Sequence, residues 1–156
     1  FSKLNADYRS EFIEGTPAAL LEKRYKKAVS RAEMLYGSLD EPQLLVLKNR
    51  LAQSTFDPGL SLNEHQRRQR DAVQSLAPLI AGQSTSEQAG PVMQAYFQRA
   101  LNSPNTTYRN YQERLTRDSC ATFAALHNST NAAQRAKAVQ TLTSYAQDFS
   151  LLTAQR

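Results

Sequence analysis

Apolar residues return every three or four positions along most of this chain, the spacing of one face of an α-helix. Leu4, Tyr8 and Phe12, with Phe1 and Ile13 beside them, predict a first helix that Gly15 stops. Thr16-Pro17 restarts the chain, with Thr as N-cap and Pro at the first helical position. Leu21, Tyr25, Ala28, Ala32 and Leu35 then form the stripe of a second helix running to about Tyr36, with Gly37 as its C-cap. A third helix opens at Asp40 and carries Leu44, Leu47 and Leu51, its apolar surface broadened by Leu45 and Val46. Asp57-Pro58-Gly59 reads as a turn, after which Asn63 begins a fourth helix bearing Val73, Leu76, Leu79 and Ile80. Pro78 requires a kink or a nearby helix end. Ala81 to Ser84 predicts a short connector. A fifth helix carries Met93, Tyr96, Phe97, Ala100 and Leu101, its start delayed by Gly90-Pro91, and Asn102 to Asn105 breaks the chain again. The sixth has the cleanest period, Tyr108, Tyr111, Leu115, Ser119, Thr122 and Leu126. The seventh starts at Asn131 and shows Val139, Leu142, Ala146 and Phe149 at helical spacing, with Leu151 and Leu152 extending its apolar end.

Four helix starts share one polar bracket, a capping residue followed three positions later by Gln: Asp40 with Gln43, Asn63 with Gln66, Thr85 with Gln88, and Asn131 with Gln134. The short side chain accepts a first-turn N–H, and the Gln reaches back to the N-cap N–H. No sustained apolar/polar alternation and no Asn-Gly or Asp-Gly turn argues for strands. The expected fold is all-α, six to seven helices packed as antiparallel hairpins in one domain spanning 1–156.

Composition narrows this little. The 156 residues suffice for a core without disulfides, and the single Cys120 is expected to be a buried, inert thiol. The formal charge of +5 is modest. Cations gather in two places. Arg24, Lys27 and Arg31 share a face of the second helix, and Arg67, Arg68 and Arg70 follow His65 in the fourth. Such faces are solvated or serve as docking surfaces for anionic partners or clients, so Arg24, Lys27, Arg31, Arg67 and Arg70 are the candidate binding residues. Nucleic acid is the poorest of those partners, since neither a recognition motif nor an aromatic stacking platform accompanies the charge.

Catalytic chemistry finds no foothold. Cys120 and His127 lie seven residues apart, about 10 Å along a helix, too far for a direct pair. Two histidines without H-x-x-x-H spacing give no metal set, and no glycine-rich phosphate loop is present, so no cofactor is expected. The brackets read as structural. A functional role for them would require Gln43 and Gln134 to meet in space.

Leu39-Asp40-Glu41-Pro42-Gln43 resembles the L-T-x-x-Q motif of Spy/CpxP-type periplasmic proteins, and Thr130-Asn131-Ala132-Ala133-Gln134-Arg135 looks like a second copy without the Leu. More widely, Asn5 to Arg9, Glu22-Lys23-Arg24, Leu35 to Leu39, Tyr108 to Tyr111, Gln134 to Ala136, Leu142 and Tyr145 to Asp148 resemble a family of Gram-negative helical lipoproteins classed as a domain of unknown function. Leu35-Tyr36-Gly37 stands where that family shows Trp-Leu-Gly. The resemblance implies a periplasmic, outer-membrane-anchored location, a mature protein longer than this chain, and a lipid-bearing Cys upstream of Phe1. It brings no catalytic residues. A non-enzymatic envelope-associated binding protein, chaperone-like or stress-related, is the expected function, with protein or envelope partners. A structural subunit of an envelope assembly is the alternative.

Overall fold

The computed structural model describes residues 1–82 and 85–154. Among them the chain is all-α, with seven helices and no strand: α1 (Ser2–Phe12), α2 (Pro17–Tyr36), α3 (Glu41–Ala52), α4 (Pro58–Ile80), α5 (Ser86–Leu101), α6 (Thr106–Ser129) and α7 (Ala132–Ala154). The connector expected at Ala81 to Ser84 falls partly outside the described residues. Where the sequence reads as one domain, the fold gathers into two compact units. The first joins Phe1–Thr16 to Thr55–Thr116, and the second joins Pro17–Ser54 to Arg117–Arg156.

In the first unit, α4 packs on α1 and α5. Its start corrects the sequence reading. Asp57, Pro58 and Gly59 are the helix beginning, with Asp57 as N-cap accepting the Leu60 N–H at 3.1 Å and Pro58 supplying a preset φ where no N–H is needed. Asn63 and Gln66 therefore lie inside α4, past the first turn, and cap nothing. Tyr111 is the buried aromatic here, its hydroxyl accepting the Asp57 N–H at 3.1 Å and meeting Ser61 Oγ at 3.2 Å. Tyr8 sets its ring beside Phe12 and edge-on to His65. Pro78 sits in the last turn of α4, two residues before the helix ends, so the hydrogen bond it removes interrupts little of the helix. Pro91, by contrast, lies within α5, which starts at Ser86 rather than after Gly90-Pro91. Thr85 holds that start, its N–H donating to Gln88 Oε1 at 3.0 Å.

In the second unit, α3 and α7 pack on α2. The core is Ala32, Tyr36, Leu47, Leu126 and Ala138, with Tyr25, Val29, Leu35 and Leu39 against it. Gly37 ends α2 at φ +79°, a conformation that side chains with a Cβ resist, and its N–H closes onto the Glu33 carbonyl at 2.8 Å. Cys120 is exposed, not buried. On either side of it Asp118 and Thr122 are half-buried, whereas Ser119 and Cys120 point outward.

Candidate functional site

Gln43 and Gln134 do meet. Both brackets close as expected: Asp40 Oδ1 accepts the Gln43 N–H at 2.9 Å, and Asn131 Oδ1 accepts the Gln134 N–H at 2.9 Å. Each Gln returns its Oε1 to the N-cap N–H, at 3.1 Å and 3.0 Å. The two amides then exchange hydrogen bonds, Gln43 Nε2 to Gln134 Oε1 at 2.8 Å and Gln134 Nε2 to Gln43 Oε1 at 2.9 Å. The second proton of each NH2 goes to the opposite loop. Gln43 donates to the Ser129 carbonyl at 3.0 Å, and Gln134 donates to the Ser38 carbonyl at 2.9 Å. The α2–α3 and α6–α7 turns thus clasp each other with a local two-fold pattern.

A primary amide offers two donors and two acceptor sites. Here all four are spent on both residues, and Gln43 is only 1 % exposed. Nothing is left to hold a ligand. The meeting of the two motifs is a fastening between helix starts.

Beside the clasp, Tyr36 Oη and His127 Nδ1 stand 2.9 Å apart, and Phe123 stacks on the imidazole. Burial raises the Tyr36 pKa, with Arg135 opposing the shift. His127 Nδ1 is thereby engaged by Tyr36. Among the described residues no group of three or more His, Cys, Asp or Glu side chains is placed to hold a metal ion, and no helix is long and apolar enough to cross a membrane.

The cations divide. In the first unit, Glu64 is a buried carboxylate, its side chain 1 % exposed. Arg67 grips it through Nε at 3.0 Å and Nη2 at 2.9 Å, Arg68 Nε adds a bond at 2.9 Å, and Ser103 Oγ one at 3.0 Å. Burial alone would raise the Glu64 pKa, but the hydrogen bonds from Arg67, Arg68 and Ser103 outweigh it and hold the carboxyl below its ordinary value. Asp71 continues the network. Arg99 donates to it at 2.7 Å and Arg67 at 3.3 Å, and Arg99 foremost lowers its pKa. Arg67 also caps the Arg99 carbonyl at 2.9 Å, joining α4 to the end of α5. Arg67 is therefore an internal tie rather than a docking cation. Arg70 alone of its group is exposed, on the edge of a groove with Phe1, Asn5 and Gln69. In the second unit Arg24 is half-buried, whereas Lys27 and Arg31 stand exposed on α2.

A surface that helical spacing alone does not place lies on α7. The helically spaced stripe Val139, Leu142, Ala146 and Phe149 does not pack inward. Instead Gln134 and Ala138 are buried, Thr141 is half-buried, and the larger residues face out. Small and polar side chains let α7 approach α2 closely, and this turns the bulky stripe away. Leu142 is 57 % exposed and Phe149 69 %, and Val139, Tyr145, Leu151 and Leu152 are exposed with them. Tyr145 Oη reaches Met34 Sδ at 3.4 Å, and the shallow groove between them is lined by Lys137 and Thr141.

Comparison with protein-family models, with curated proteins and with solved structures finds no match to this chain.

Proposed function

We propose that this chain is a non-enzymatic helical binding protein of the cell envelope that holds apolar segments of other proteins, in the manner of a chaperone, on the outward face of α7. The observation that carries the reading is the stripe Val139, Leu142, Tyr145, Phe149 and Leu152, exposed at helical spacing over about 20 Å of one helix. Contiguous apolar surface of this kind marks interaction sites in folded proteins. Arg24, Lys27 and Arg31 on α2, the helix that carries α7, favour segments whose apolar residues are flanked by Asp or Glu. A role without catalysis is supported by how the buried polar groups are used. The Gln43–Gln134 amides are saturated by each other, and Glu64 is neutralised by two arginines. The envelope location rests on the L-T-x-x-Q-like boxes and the lipoprotein resemblance.

The exposed residues Leu142, Tyr145, Phe149 and Leu152 recur at three, four and three residues, the spacing of a seam that meets one helix. It favours a second reading, a permanent contact within an envelope assembly. Purified protein mixed with a thermally unfolding client separates the two. The first reading expects suppressed aggregation, abolished by Leu142→Ser with Phe149→Ser and weakened by charge reversal at Arg24, Lys27 and Arg31. No suppression at stoichiometric excess overturns it. A single stoichiometric partner recovered from crosslinked cells, and lost in the double serine variant, supports the second.

A further inference from the structure

The first unit holds a groove of about 370 Å³, lined among others by Arg68 of α4, Leu101 and Ser103 at the end of α5, and Tyr108, Arg109 and Glu113 of α6. Both arginines reach it from fixed positions. Arg68 spends its Nε on buried Glu64, at 2.9 Å, yet its side chain remains 37 % exposed. Its guanidinium carbon lies 5.8 Å from the centre of the Tyr108 ring. Arg109 donates through Nη1 to the Ser103 carbonyl and through Nη2 to Thr106 Oγ1 at 3.0 Å.

These anchors matter for binding. A guanidinium carries five N–H donors. Glu64 takes one from Arg68, and the Ser103 carbonyl and Thr106 take two from Arg109, so each cation keeps donors for whatever enters. Side chains already held by internal bonds lose little rotamer freedom on binding, which is where much affinity to mobile surface arginines is lost. The planar fork suits an oxyanion whose oxygens lie in one plane. Glu113 is the one carboxylate among the lining residues, so the walls keep an excess of positive charge. Tyr108 and the exposed Leu101 supply apolar surface beside the cations.

We infer that this groove binds a small organic carboxylate with an aliphatic or aromatic body, the oxyanion between Arg68 and Arg109 and the body against Tyr108 and Leu101. Its volume lies at the low end for small-molecule sites, which run from about 300 Å³ upward, and this selects a ligand of amino-acid to dipeptide size over a lipid. The inference concerns the first unit and stands whether or not the α7 face binds clients.

The test is a backbone-amide NMR titration of the isotope-labelled chain at neutral pH through the millimolar range. The probes are 4-phenylbutyrate, its neutral amide, and phenyl phosphate. Saturable shifts at Leu101, Tyr108 and Arg109 are expected with the carboxylate, and binding about tenfold weaker with the amide. Arg109→Gln, an exposed substitution away from Glu64, is expected to weaken the carboxylate about tenfold while leaving distant resonances in place. Arg68→Lys keeps the charge but loses the fork and should weaken binding as well. Absence of saturable shifts, equal binding of the amide, or an Arg109→Gln variant that binds like the parent overturns the inference. Phenyl phosphate binding alone overturns the carboxylate assignment, and binding of both anions on the same residues supports the site.

Discussion

The two units secure their buried polar groups by opposite means. In the second, two neutral amides complete each other, and every donor and acceptor finds a partner by geometry alone. In the first, a buried carboxylate is gripped by two arginines and a hydroxyl, and a second carboxylate extends the cluster to α5. An amide clasp is intolerant of shape but indifferent to charge. An ionic cluster is condition-dependent, and breaking it leaves an uncompensated charge. The comparison teaches that two fastenings of similar burial should fail under different insults.

The largest expected effect is at Glu64. Glu64→Gln removes the charge that Arg67 and Arg68 share and sets an NH2 against donors where a carboxylate oxygen now accepts from two groups, and should destabilise by about 3 kcal/mol in urea unfolding. A loss below about 1 kcal/mol would show that the carboxylate is not the anchor. Gln43→Leu comes next, at about 2 kcal/mol, because it orphans the amide of Gln134 as well as one bracket. The double variant with Gln134→Leu should cost less than the two singles together, a coupling of about 1 kcal/mol. Strict additivity would deny the clasp.

Acid sharpens the contrast further. Glu64 and Asp71 have folded pKa values below their ordinary ones. Their stabilisation is therefore complete above the ordinary carboxyl range near pH 4, and is lost as pH falls through the lowered values. The Arg67 and Arg68 Nε–H signals should lose exchange protection in that window, while the side-chain NH2 signals of Gln43 and Gln134 persist, since neither amide titrates. The smallest effects discriminate the helix starts. Asp57→Ala should cost about 1 kcal/mol and Asn63→Ala less than about 0.5 kcal/mol in thermal or urea unfolding.

Most of the helices, and three of the four brackets, were legible because helical period and capping chemistry are local. The fourth bracket misled for the same reason. Cap-like residues three apart also occur within helices, and Asp57-Pro58 upstream held the real start. The misread segment contained the more telling residue. Glu64, Arg67, Arg68 and Asp71 form an alternating-sign row on one helix face, a signal that names an ion cluster but not its burial, which depends on Ser103 and Arg99 from other elements. The α7 face is a different case. Spacing identifies an apolar stripe, yet cannot tell whether a neighbour covers it, and here Ala138 rather than Val139 turned toward α2.

The reciprocal amides carry an implication for inheritance. Positions 43 and 134 are 91 residues apart in the chain, and neither glutamine is complete without the other. A lineage that loses one glutamine is left with a defect that only a matching change at the second can relieve. Descendants of this sequence should therefore keep both glutamines or replace both together, so that two distant codons drift as one.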